Sequence, residues 1–158
     1  MKNVTTWLTR LLVALTAAVT ALAGAAATAQ AATPTAVRPA TSFSICANSP
    51  IPSGYVITMI NTAAPSCGGF AQYTIQTPVS TGILICQNSP IPSGYVITMI
   101  NGADPSCDGY AGYFIRTPVS SGILICENSP IPAGYVVTRI SGGDSSCDGY
   151  DGEFIVAA

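Results

Sequence analysis

ICQNSPIPSGYVITMINGADPSCDGYAGYFIRTPVSSGIL, residues 85–124, is the stretch on which the fold turns. Shifted by 40 positions it matches residues 45–84 at 31 of 40 places, and its first 32 residues match 125–156 at 22 of 32. A fixed period at such identity marks one supersecondary unit copied in tandem. Phased four residues earlier, the copies occupy 41–80, 81–120 and 121–158.

Within the quoted copy the punctuation is dense. GILIC at 82–86 is a short apolar run, NSPIPSG at 88–94 is rich in turn formers, and YVITMI at 95–100 is rich in β-branched residues. NGADPS at 101–106 breaks the pattern, YFIRT at 113–117 resumes it, and Pro118 with Ser120, Ser121 and Gly122 ends it. Runs of four to seven residues bounded by Gly, Pro, Asn or Ser predict strands, and no helical period of useful length competes. The pairs Pro50/Pro52, Pro90/Pro92 and Pro130/Pro132 lack the N–H that a central strand needs, so Ser-Pro-Ile-Pro is read as an edge or an extended loop.

An all-β domain over 41–158 is therefore expected, with at least three strands per unit. Counting the Ile-Pro segment as a fourth gives twelve strands, the number of a β-trefoil. Open solenoids usually carry atypical polar end units, and here only Thr41–Ser44 departs from the pattern at the first unit. Closure with pseudo-threefold symmetry, β-trefoil-like, is the first expectation; a linear array of small disulfide-stapled β modules is the alternative.

Cys46, Cys86 and Cys126 head the copies, and Cys67, Cys107 and Cys147 follow 21 residues later. Six cysteines permit 15 pairings. Pairing each head with its own later partner gives 46–67, 86–107 and 126–147 and the same geometry in every copy. Linking neighbouring copies through 67–86 and 107–126 strands Cys46 and Cys147 unless they close a ring. Zinc sites bring cysteines two to four residues apart, which this spacing does not, so a structural role is expected. A loop of this length closed by a disulfide contributes about 3 kcal/mol in the chain-entropy model.

The chain before the repeats reads as an export segment. Lys2 and Arg10 precede an uncharged Leu/Ala/Val/Thr run at 11–27, and Ala29-Gln30-Ala31 supplies a cleavage motif. Residues 1–31 are accordingly a secretory signal peptide, Ala-rich in the bacterial manner, rather than a membrane anchor. Residues 32–40 form a Thr/Pro/Ala lead-in without periodicity, expected to be disordered. The product is expected to be secreted and extracellular, with no stable membrane insertion after cleavage.

Removing 31 of 158 residues leaves Arg38, Arg116 and Arg139 against seven acids, and no lysine, tryptophan or histidine. A net charge near −4 argues against a nucleic-acid partner. Without histidine or lysine as a base, and with the cysteines oxidised, nucleophilic and general-base catalysis lose their usual residues. No cofactor and no enzyme activity are expected.

Charge is uneven. Residues 45–84 carry none, 85–124 carry Asp104, Asp108 and Arg116, and the third unit carries Glu127, Asp144, Asp148, Asp151 and Glu153 against Arg139. Asp144, Asp148, Asp151 and Glu153, with Gly149 and Gly152 permitting sharp turns, are a weak calcium candidate off the EF-hand spacing. A solvated acidic loop is the plainer reading.

Groups that recur three times suit a repetitive ligand: Asn48, Asn88 and Asn128 in the proline loop, Tyr55, Tyr95 and Tyr135 after glycine, and Phe70, Tyr110 and Tyr150 after the second cysteine. Tyr73 and Tyr113 align with Glu153, which marks a position facing solvent. The ligand-binding candidates are Tyr73, Tyr110, Tyr113, Tyr150, Asn48, Asn88 and Asn128. For the Asn and strand-heading Tyr groups, turn formation and packing are the competing roles.

The leading expectation is a secreted, non-enzymatic binding module that recognises an extracellular glycan or protein. The second is a self-associating surface protein, because YVITMI at 55–60 and 95–100 is uncharged, proline-free and strand-prone. A secreted protease inhibitor presenting the proline loop is third. The fingerprint C-x-N-S-P-I-P-[SA]-G-Y-V-[IV]-T resembles small secreted cystine-stapled modules in style only. The Gln-x-Trp motif of ricin-type trefoil lectins does not occur, so no lectin residues carry over.

Overall fold

The computed structural model describes residues 41–158. The signal peptide at 1–31 and the lead-in at 32–40 lie outside the described residues.

Each unit folds into one three-stranded antiparallel sheet. The first contains β1 (Ser42–Cys46), β2 (Val56–Asn61) and β3 (Gln72–Gln76) in the order β1-β3-β2. The second contains β4 (Ile83–Cys86), β5 (Val96–Asn101) and β6 (Gly112–Arg116), ordered β4-β6-β5. The third repeats the plan with β7 (Ile123–Cys126), β8 (Tyr135–Ser141) and β9 (Gly152–Ala157), ordered β7-β9-β8. The last strand of each unit thus lies between the other two. The Ser-Pro-Ile-Pro segments are turn and loop, so nine strands are found among the described residues rather than twelve.

A disulfide ties the first strand of each unit to a short 3-10 turn after the second strand. The turns are Pro65–Cys67, Pro105–Cys107 and Ser145–Cys147. The bridges are Cys46–Cys67, Cys86–Cys107 and Cys126–Cys147, each with its Cα atoms 5.4 Å apart, and no cysteine is free. The pairing within units is the one the repeat favoured.

One bulge recurs in every sheet. The register between β2 and β3 slips between Ile57 and Met59, between β5 and β6 at Ile97 and Met99, and between β8 and β9 at Val137 and Arg139. An extra residue in one strand breaks the period of two that a flat strand imposes. Val56 and Ile57 are consequently both buried, at 0% and 1% exposure, while Met59 stays exposed.

The second burial direction is supplied by the next unit. β2 packs on β4 and the 105–107 turn, and β5 packs on β7 and the 145–147 turn. Ile57, Ile60 and Ile75 of the first unit share a core with Cys86 and Cys107 of the second. Val56 joins Ile85, Ile97, Ile100 and Ile115, and that cluster is closed by Cys126 and Cys147 of the third unit. Each disulfide of the second and third units therefore lies in the core of the unit before it.

Two buried serines complete these joints. Ile57 N–H donates to Ser89 Oγ at 2.8 Å, and Ile97 N–H donates to Ser129 Oγ at 2.8 Å. A buried amide that the sheet ladder leaves over is thereby satisfied, as burial requires.

The joints run in series, from first unit to second and from second to third. Threefold closure is not confirmed by them. Glycine and ring size are matched inside the units: at Gly122 (φ +106°) an added Cβ would stand 2.6 Å from the Phe154 ring. Gly82 faces Phe114 in the same way, whereas the first unit has Ser42 and Thr74 at these positions.

Candidate functional site

The recurring aromatic and amide groups divide into two sets. Tyr95 and Tyr135 are half-buried, and their hydroxyls donate to Pro78 O at 3.3 Å and Pro118 O at 3.4 Å in the preceding connection. Burial holds the Tyr95 hydroxyl above the ordinary tyrosine range. Tyr55 packs edge to face on Phe43, with centroids 5.2 Å apart. These rings are structural.

Tyr73 and Asn88 are brought together across the first joint, where Asn88 Nδ2 donates to Tyr73 Oη at 3.3 Å. Tyr73 and Tyr113 are half-buried and pack against the cores of their units, so that position lies at a joint rather than in open solvent. That corrects the solvent-facing reading drawn from Glu153, the residue the third unit has there. Tyr113 is held above the ordinary tyrosine range first by burial and then by the neighbouring Tyr150. Asn48 and Asn128 are exposed in their loops.

Phe70, Tyr110 and Tyr150 form the second set. They stand at the same place in successive units, directly after the 3-10 turn, and are 51%, 58% and 54% exposed. Their position is fixed from behind. The backbone N–H of each donates to the carbonyl of the half-cystine three residues earlier, at 3.1 Å in all three units. Of the two residues between, the first, Gly68, Asp108 or Asp148, adopts the left-handed conformation with φ of 60°, 56° and 55°, and the second is a glycine with positive φ in every unit. Asp tolerates this region better than most side chains do. All three rings are thus exposed on turns whose backbone is anchored next to a disulfide.

Two acidic residues of the third unit, Asp144 and Asp151, accept backbone hydrogen bonds. Asp144 caps the 145–147 turn by accepting from Ser146 N–H at 2.8 Å and from the Ser146 hydroxyl, and these bonds hold its carboxyl below the usual range. Asp104 caps the 105–107 turn of the second unit, accepting from Ser106 N–H at 2.8 Å, and also accepts from Asn101 Nδ2 at 3.0 Å. Asp151 accepts from Gly143 N–H at 3.0 Å, and Asp148 lies against Gly102 of the second unit. Among the described residues no three His, Cys, Asp or Glu side chains gather as metal ligands do. The calcium reading of Asp144, Asp148, Asp151 and Glu153 is carried no further.

Sequence reasoning passed over Ser89 and Ser129, which it treated only as part of a turn. Their signal was available in the chain: a small hydroxyl recurs before Pro at one place in every unit, where any turn former would serve if the turn were its only task.

Three disulfides, and no helix among the described residues long and apolar enough to cross a membrane, are consistent with an extracellular or secreted protein. Comparison with protein-family models, with curated proteins and with solved structures finds no match for this chain.

Proposed function

We propose that this is a secreted, non-enzymatic binding protein whose three units stand in an open linear stack and present one exposed ring each, Phe70, Tyr110 and Tyr150, to an extended extracellular ligand. The observation that carries this reading is the threefold exposure of an aromatic side chain at one anchored place. Large aromatic rings bury well, and a soluble fold that leaves three of them in solvent at equivalent positions forgoes that stabilisation. A polysaccharide suits such a row, because its sugars repeat as the units do and each ring can stack on a sugar face. Linked weak contacts then act together, so affinity rises with the number of rings engaged.

The test uses the chain after removal of the signal. Binding is measured on a glycan array and by sedimentation with insoluble chitin, cellulose and peptidoglycan. The substitutions Phe70→Ala, Tyr110→Ala and Tyr150→Ala leave the core intact, since all three rings are exposed. Each single change is expected to weaken binding about three- to tenfold, and the triple change to abolish it. Binding that survives the triple substitution would overturn the reading.

A further inference from the structure

The joint between units has a donor side and an acceptor side, and one of each is left exposed. On the acceptor side, the second strand offers a Val, a β-branched neighbour and an Ile. In β2 these are Val56, Ile57 and Ile60, and in β5 they are Val96, Ile97 and Ile100; all six are at most 7% exposed because the next unit covers them. In β8 the same positions keep the same chemistry as Val136, Val137 and Ile140, yet they are 46%, 37% and 63% exposed. On the donor side, Cys86, Cys107, Cys126 and Cys147 are fully buried against a preceding unit, while Cys46 is half-buried and Phe43 is 40% exposed. Ser89 and Ser129 are buried where they accept a neighbour's amide, and Ser49 is exposed.

We propose that the face of β8 docks the first unit of a second copy of this chain, head to tail, by repeating the joint that the molecule already contains twice. The occupant follows from continuity. A surface built to receive Cys86, Cys107 and Ser89 on β2, and Cys126, Cys147 and Ser129 on β5, recurs on β8. The first unit carries the matching Cys46, Cys67 and Ser49. Val137 N–H would donate to Ser49 of the second copy, as Ile57 N–H donates to Ser89.

The changes that set β8 apart are compatible with docking. Arg139 replaces Met59 and Met99, which remain 49% and 46% exposed inside the stack, so the charge falls where solvent already reaches; it lies 5.2 Å over the Phe154 ring. Glu153 replaces Tyr73, and a carboxylate accepts a bond from the second copy's Asn48 more strongly than a phenol does. Residues 45–84 hold no charge, so no like charge meets the acidic unit. Polar substitutions at 136, 137 and 140 would be expected of a capping unit, and none is present.

This association does not depend on the glycan reading, because Phe70, Tyr110 and Tyr150 lie on the loops after the turns and not on the β8 face. The contact is heterologous, so it continues instead of closing at two chains. The experiment is sedimentation velocity on the signal-free chain, without added ligand, from about 1 µM to about 1 mM, where weak homotypic contacts become populated. Two blocked variants accompany it: V137D/I140D on the acceptor side, and Ser49→Arg on the donor side. All three positions are exposed in the single chain, so each variant should fold, which circular dichroism and intact disulfide mass confirm.

The wild-type chain is expected to grow past two copies as concentration rises, and each variant alone to stay monomeric. An equimolar mixture of the two variants retains one good face of each kind and is expected to stop at a one-to-one dimer. A wild-type monomer at the highest concentration would overturn the proposal, as would a wild-type species that stops at two chains. A mixture that stays monomeric would overturn it as well. Loss of glycan binding with assembly intact would instead remove only the function proposed above.

Discussion

Ser49, Ser89 and Ser129 occupy one place in the repeat and have different physical tasks. Ser89 and Ser129 are buried and accept an amide from the unit before, while Ser49 faces solvent. Removing a hydroxyl that satisfies a buried N–H costs about 1–3 kcal/mol. Ser89→Ala is therefore expected to lower unfolding free energy by about that amount, and Ser49→Ala to leave it unchanged within about 0.5 kcal/mol. Denaturant titration at low micromolar protein, where chains are separate, checks both. Equal effects would show that the bond to Ile57 does not carry the difference. Single positions were only partly legible in the sequence. The cysteine partners followed from the repeat, because pairing each head with its own later partner gives every copy the same geometry without needing a ring closed between Cys46 and Cys147. The setting of Tyr73 did not, since alignment with Glu153 marks what a position tolerates in one unit and says nothing about the unit packed beside it.

The strands were legible as elements because each apolar run is fenced by Gly, Pro, Asn or Ser. GILIC and YVITMI fall where β4 and β5 are found, within a residue or two. The 3-10 turns were not legible. Three residues give no period to read, and their caps come from Asp104 and Asp144 in two units but from no side chain in the first, where Ala64 stands. The bulge was equally hidden, and with it the reason why successive residues of YVITMI are apolar: Val56 and Ile57, which a flat strand would turn to opposite faces, are both buried against the next unit. The disulfides inherit this arrangement. Cys86, Cys107, Cys126 and Cys147 are fully buried, while Cys46 is half-buried and Cys67 is 6% exposed. Exchange with a thiol depends on access to sulfur. Under mild reductant and rapid alkylation, Cys46 and Cys67 are expected to be labelled before the other four, as peptide mass mapping would show. Simultaneous labelling of all six would mean that the bridges open together through global unfolding.

For the molecule as a whole, composition and repeat length pointed to three all-β units and left their arrangement open. Near-whole units and the scarcity of polar end residues suggested closure. The described contacts run in series, leaving Val136, Val137 and Ile140 of β8 exposed at one end and Phe43 of β1 exposed at the other. If the joints are equivalent, a whole unit can be taken out. Excising residues 81–120 brings β2 against β7 and the 145–147 turn, where Ile123, Leu124, Ile125, Cys126, Ser129 and Cys147 repeat Ile83, Leu84, Ile85, Cys86, Ser89 and Cys107. The shortened chain is expected to fold, to form two disulfides and to unfold cooperatively with a smaller m-value, in proportion to the surface lost. Aggregation, or mispaired cystines on mass mapping, would show that the two joints are not interchangeable. The same interchangeability has a hereditary side. If the coding tracts are as alike as the units they encode, misaligned recombination one unit apart would add or delete forty codons, and interchangeable joints would leave every surviving joint whole. Length in this lineage is then free to drift in steps of one unit, and natural variants differing by a full repeat are the alleles that purifying selection would let pass.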